Sequence, residues 1–229
     1  EARYANKRGF SKHAPALPLY TVEDAVHAVQ QMTPVDFERD VTLAEGLSLR
    51  LIPNGHILGS ACVLLRDAHT RLLFSGDLGR PHDPTMLPPH YVQNADYLVI
   101  ESTYGNRLHD TSDPQQALAT VINRTVERGG VVLIPAFAVG RTQTLLHYIA
   151  LLKASHSIAD VPVYLNSPLA TSATDIFCNH SDIHRLTAAQ CRAMCGSVHY
   201  VTSVEESKAL NARKGPMIIV SASGMATGG

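Results

Sequence analysis

Charge is scarce in this sequence. Only 17% of its 229 residues are charged, and the 19 Lys and Arg nearly cancel the 20 Asp and Glu, leaving a formal net charge of -1. A uniformly basic nucleic-acid coat is therefore not expected, although a local basic groove fits inside a neutral total. Disorder is not expected either, because it needs few apolar residues and a high net charge, whereas 45% of this chain is hydrophobic. No stretch approaches the ~18 apolar residues of a bilayer-crossing helix, so no membrane partner is expected. Cysteine is sparse as well. The four thiols, Cys62, Cys178, Cys191 and Cys195, form no Cys-x-x-Cys pair, and Cys191 and Cys195 sit at helical spacing. Reduced thiols, buried or half-buried in a cytoplasmic protein, are the expectation. Initiator Met and signal-like segment are both missing. With the abrupt opening at Glu1-Ala2-Arg3 and the close at Gly228-Gly229, this suggests a piece of a longer polypeptide.

The apolar residues that are present suffice for one large domain or two modest ones, at roughly 150 residues per domain. Residues 1–20 begin basic (Arg3, Lys7, Arg8, Lys12), turn proline-punctuated, and read as an irregular surface segment. Thr21 reads as an N-cap for a short helix through Ala25, Val26 and Val29 that Pro34 ends, with Glu23 and Asp24 in its first turn. Leu47, Leu49 and Leu51 alternate with Ser48 and Arg50 as in a half-buried strand. The apolar runs 61–65 and 72–74 flank a polar turn and predict a hairpin. From about residue 96 the rhythm changes. Tyr97–Ile100, Gly130–Ile134, Val161–Leu165 and Met217–Val220 read as buried strands, and Pro114–Glu127 and Val139–Lys153 as helices. Strand and helix in alternation imply an α/β fold with a doubly wound parallel sheet.

Three strand-end clusters carry candidate chemistry: Gly55-His56-Ile57-Leu58-Gly59-Ser60, Ser75-Gly76-Asp77-Leu78-Gly79-Arg80 and Glu101-Ser102-Thr103-Tyr104-Gly105. Each sets a potential metal ligand or acid/base group beside small residues that permit tight turns. Imidazole and carboxylate are standard donors to zinc, yet taken singly a buried histidine is more often a hydrogen-bonded core residue and Gly-Asp more often a turn. His-x-His, His-Glu-x-x-His and a phosphate-binding loop are all missing. His180 and His184, four apart, read better as an exposed surface pair than as ligands.

In order along the chain, those three clusters are joined by Ile134-Pro135-Ala136-Phe137-Ala138-Val139-Gly140-Arg141-Thr142-Gln143 and Ser221-Ala222-Ser223-Gly224-Met225-Ala226-Thr227-Gly228-Gly229. The five blocks together resemble the β-CASP branch of the metallo-β-lactamase superfamily, whose members include RNA-processing zinc nucleases. The resemblance implies part of an αββα sandwich over residues 1–105 and part of an inserted β-CASP domain over 106–229. It implies that His56 is a ligand to one zinc ion and that Asp77 is a catalytic ligand bridging two. Glu101 would be the acidic residue that orients a catalytic histidine, and Ser102, Thr103, Arg141 and Ser223 are candidates to contact substrate phosphates. The implied partner is single-stranded RNA held through its phosphates, with a homodimer as an option.

The family's His-x-His-x-Asp-His signature does not occur, and its later histidine-bearing blocks would follow Gly229. This leads to the expectation that the chain alone binds zinc weakly or not at all and is inactive, as a fragment of a zinc-dependent ribonuclease. The alternative is a non-catalytic RNA-binding scaffold of the same superfamily. A small-molecule hydrolase is disfavoured by the α/β insertion after Glu101.

Overall fold

A computed structural model describes residues 2–222. The chain divides into two compact units, Glu1–Asp36 and Phe37–Gly229. In the first, the expected irregular opening is instead a helix, α1 (Ala2–Arg8). Ala, Arg and Lys are good helix formers, and Lys7 and Arg8 complement the negative helix end. Gly9 stops it at φ +66, letting the Phe10 N–H bond back to the Ala5 carbonyl at 3.1 Å. The side-chain amide of Asn6 then pins the following segment, donating to the Ala16 carbonyl at 2.8 Å and accepting the Ala16 N–H at 2.6 Å. Helix α2 (Val22–Gln30) begins on the expected Thr21 cap, and Asp24 completes a capping box by accepting the Thr21 N–H at 2.8 Å. It ends at Gln30, short of Pro34, so the proline is not its terminator.

The second unit opens with a sheet of five strands in the order β1 (Asp40–Ala44), β2 (Leu47–Pro53), β3 (Ala61–Arg66), β4 (Arg71–Phe74), β5 (Tyr97–Val99). The first four are antiparallel and β5 runs parallel to β4. The expected hairpin is β3–β4, its turn held by Asp67, which accepts the His69 and Thr70 N–H groups at 2.7 Å each. The face of β2 that is buried is the opposite of the one its leucines suggest. Leu47 is exposed while Ile52 is buried, and Ile52 packs with Cys62, Leu64 and Leu73 on the same face as Arg50. Arg50 is tolerated there because Asp40 accepts from its Nε and Nη2 at 2.7 Å each and also pairs with Arg66. The Arg50 hydrogen bond, with Arg66 beside it, holds the Asp40 carboxyl down at about 2. β5 likewise departs from expectation: Tyr97, Leu98 and Val99 are exposed, since hydrophobicity predicts burial only where another layer covers the strand.

Residues 114–222 form the expected parallel sheet. After α3 (Pro114–Glu127) come β6 (Val131–Ala136), α4 (Arg141–Ala154), β7 (Val163–Asn166), α5 (Pro168–Asn179), α6 (Ala188–Gly196), β8 (His199–Val201), α7 (Val204–Ala212) and β9 (Met217–Ala222). The strand order is β6-β9-β7-β8, all parallel. α3 packs on β6 and α5 on β7. Ile122, Leu146, Ile149, Val163, Leu165, Ile218 and Val220 are wholly buried at the centre of its core. α5, α6, β8 and α7 lie in a stretch for which no element was predicted from the sequence.

His184 is not the exposed residue expected. It is buried between α5 and α6, its ring stacked on Phe177 with centroids 4.1 Å apart. Nδ1 accepts the Leu186 N–H at 3.1 Å, so the neutral ring carries its proton on Nε2, which donates to the Phe177 carbonyl at 3.0 Å. Burial pushes this histidine below its ordinary value, and does the same to His147 in α4. A histidine with a lowered folded value takes up its proton in the unfolded chain first. Stability is therefore full above about 6.5 and declines as pH falls below it. Thermal melts between about pH 7.5 and 5.5 should show the midpoint dropping, with a shallower drop in His184→Asn. A flat profile in the wild type would contradict the buried neutral ring.

Candidate functional site

The site forms where three loops leave the first sheet. Asn54 is almost fully buried between them, donating from its side chain to the Ser75 carbonyl at 3.0 Å, while its own carbonyl accepts the Gly79 N–H at 2.9 Å. Gly55 turns at φ +70, and a Cβ there would lie 2.4 Å from the Leu87 carbonyl oxygen. Gly79 packs against Gly55 backbone to backbone, where a Cβ would meet the Gly55 C and O at 2.1 Å. The Ser60 hydroxyl accepts the His56 and Ile57 N–H groups at 3.1 and 3.0 Å, rolling residues 56–60 into a compact turn.

These turns present His56 and Asp77 to solvent with Nε2 and Oδ2 3.7 Å apart. Two donors on one tetrahedral zinc at about 2.0–2.2 Å stand roughly 3.3–3.6 Å from each other, so the pair suits a metal in kind and in separation. Among the described residues no group of three or more His, Cys, Asp or Glu side chains converges to hold a metal. His56 and Asp77 thus offer two of the four positions zinc takes.

Glu101 does something the sequence did not suggest: it braces the Asp77 loop. Its Oε1 accepts the Leu78 N–H at 2.8 Å, its Oε2 the Thr103 N–H at 3.4 Å, and its own N–H donates to the Ser75 hydroxyl at 3.0 Å. The bond from Leu78, then Thr103 and the nearby His56, hold the carboxyl below its usual range, so it is ionised at neutral pH. Ser102 and Thr103 lie exposed on the turn that follows, closed by Gly105 N–H to the Ser102 carbonyl at 3.0 Å.

Arg141 reaches the same neighbourhood from the parallel sheet. It opens α4 after Gly140, where φ is +80 and a Cβ would stand 2.9 Å from Ile57 Cγ2 of the His56 turn. The next two residues build the turn: Thr142 donates to the Phe137 carbonyl at 2.7 Å, and buried Gln143 accepts the Gly140 N–H at 2.7 Å and donates to the Ala138 carbonyl at 3.1 Å. Arg141 is left exposed, with no ion pair among the described residues. A cation at a helix N-terminus opposes the helix dipole, so this one suits a bound anion better than it suits the helix. Ser223 lies outside the described residues.

Sequence reasoning passed over a second set of groups. Arg80, three residues beyond Asp77, sits 3.4 Å from His109 Nδ1. Tyr104 meets His109 edge to face and carries the Arg107 guanidinium 5.8 Å above its ring. Arg80 and Tyr104 stood inside the quoted motif blocks, but nothing local tied them to Arg107 and His109. An aromatic ring among cations is what a single-stranded nucleic acid uses for stacking and phosphate contact.

Residues 142–229 match the Beta-Casp domain. Those residues belong to the β-CASP family. It is 32% identical to "Ribonuclease TTHA0252" of Thermus thermophilus over 93% of its length and 50% of that protein's. It is 31% identical to an "RNase J-like protein" of Methanocaldococcus jannaschii over 92% of its length and 50% of the relative's. It is 33% identical to "Endoribonuclease YSH1" of Mycosarcoma maydis over 69% of this chain and 18% of that one. The chain spans about half the length of the first two relatives it matches.

Proposed function

We propose that this chain serves a metal-dependent ribonuclease that hydrolyses RNA phosphodiester bonds, with zinc as the metal. The observation that carries the reading is the His56–Asp77 pair, 3.7 Å apart on turns locked together by Asn54, Gly79 and Glu101. The names of the relatives, ribonucleases and endoribonucleases, point the same way. On this reading residues 1–105 belong to the metallo-β-lactamase part and 106–229 to the β-CASP part.

His56 and Asp77 would hold the metal, which when bound supplies a Lewis acid for the phosphate and an activated water. The chain's own groups do the rest. Glu101 fixes the backbone beside Asp77, so the Asp77 carboxylate would be offered to the metal in one orientation. Arg141 is placed to grip a phosphate oxygen pair through its guanidinium fork, and Tyr104 to stack a base.

Zinc-supported cleavage of a labelled single-stranded RNA, lost on chelation and restored by zinc, tests the reading. RNA binding that persists without cleavage at any zinc level would instead favour a scaffold. RNA affinity should fall as salt rises, and Arg141→Ala should weaken it for all sequences alike. If Arg141 holds one phosphate, the slope of log affinity against log salt should shrink by about 0.7 in that variant. An unchanged slope in a filter-binding titration would remove Arg141 from the phosphate path.

A further inference from the structure

Three of the four cysteines, scattered in sequence, meet in the fold. Cys178 closes the last turn of α5, and Cys191 and Cys195 lie on α6. The Sγ atoms of Cys178 and Cys195, 17 residues apart in sequence, are 3.0 Å from each other. Both are half-buried, whereas Cys191 is buried against the core. The fourth, Cys62, is in the other sheet, its thiol donating to the Ser75 carbonyl at 3.4 Å.

The surroundings favour chemistry at Cys195. The Tyr200 hydroxyl is buried with no hydrogen-bond partner among the described residues, and Cys195 is its polar neighbour. A hydroxyl in that place can donate to a thiolate or to the oxygen of a sulfenic acid. Burial and the adjacent thiols push Cys178 upward. With the buried Tyr200 hydroxyl beside it, Cys195 is the sulfur assigned to be oxidised first and Cys178 the thiol that resolves it.

We propose that Cys178 and Cys195 are a peroxide-oxidisable dithiol that closes to a disulfide across α5 and α6. Hydrogen peroxide converts the Cys195 thiol to a sulfenic acid, its O–O bond breaking and one water leaving. The Cys178 sulfur then attacks Cys195, the S–S bond forms, and the sulfenic oxygen departs as a second water. Two thiols lose two electrons and the peroxide takes them up; a dithiol reductant reverses the change.

The link would close the segment that carries His184 and Arg185. That segment docks on the chain just beyond Asp77. Arg185 donates from Nε to the Met86 carbonyl at 2.7 Å and from Nη2 to the Pro81 carbonyl at 2.8 Å, and its N–H bonds the Thr85 carbonyl at 2.8 Å. Oxidation would therefore brace the join between the parallel sheet and the loop bearing the candidate metal site.

The test is a thiol count on the unfolded chain after mild peroxide treatment of the folded one, with peptide mapping under non-reducing conditions. The untreated chain presents four thiols. Two should remain after treatment, with a peptide joining Cys178 to Cys195 and a mass lower by two hydrogens, all reversed by dithiothreitol. Cys195→Ser should keep all three of its thiols, Cys178→Ser should lose one to an unresolved sulfenic acid at Cys195 with no disulfide, and Cys191→Ser should lose two of its three. A wild-type count that stays at four, or a bond through Cys191 or Cys62, would overturn the proposal. The wild-type map decides the matter even if a serine variant folds poorly.

Discussion

On the proposed ribonuclease reading, replacing Asp77 by alanine should abolish RNA cleavage while leaving the fold intact. The Asp77 side chain is 71% exposed and, among the described residues, its ion pair is with His56, so the turn around it does not depend on the carboxylate. That turn is built by Asn54, Gly79 and Glu101. Surface changes of this sort move stability by no more than about 0.5 kcal/mol. The chemical loss is of another order. Removing a group that merely orients a metal ligand costs about 10–100-fold, and removing a ligand should exceed that. Glu101→Gln should fall within that lower range, because the amide keeps an acceptor for the Leu78 N–H and turns a donor towards Thr103. Initial rates on labelled RNA beside thermal melts separate the cases. Cleavage undiminished in Asp77→Ala would remove the His56–Asp77 pair from the chemistry.

Gly79→Ala should damage the same site through the backbone. A methyl group at 79 would lie 2.1 Å from the Gly55 carbonyl carbon and oxygen and 2.7 Å from the His56 N. Those are main-chain atoms with no rotamer to escape into. The two turns must separate, breaking the Gly79 N–H bond to the Asn54 carbonyl and exposing a buried amide. Overpacking of this kind costs about 1–3 kcal/mol or more. The chain should melt several degrees lower, and the proposed RNA cleavage should fall with it. Gly196→Ala in α6, where a Cβ meets nothing within 4 Å, is the control and should be neutral or stabilising. Equal melting temperatures for the two variants would show that the 55–79 contact is looser than described.

Local chemistry was the readable part of this chain. Asp113 and Pro114 mark the start of α3 and Thr21 that of α2, because caps and first-turn residues act within a few positions. The periodicity of Leu146, Ile149 and Leu152 likewise marks the buried side of α4. What failed was whatever another segment decides. Arg50 lies on the buried side of β2 because Asp40, ten residues earlier, neutralises it. His184 is buried because Phe177 and Leu186 use its ring, and no element was predicted there from which to foresee that. At the site, the family resemblance singled out His56 and Asp77, and the fold brings their side chains within 3.7 Å. The Glu101–Leu78 bond was not foreseen, since it spans 23 residues and ends on a backbone amide that no residue type announces.

The strand order β6-β9-β7-β8 also bears on how the molecule is made. β9 is the last of the described strands, yet among them it alone hydrogen-bonds β6, and it supplies one side of β7. Until Met217–Ala222 leaves the ribosome, β6 has no neighbour among the described strands and the core around Ile218 and Val220 has no floor. During synthesis the parallel sheet must therefore wait as an open, adhesive intermediate, and it is this half of the nascent chain that would draw chaperones.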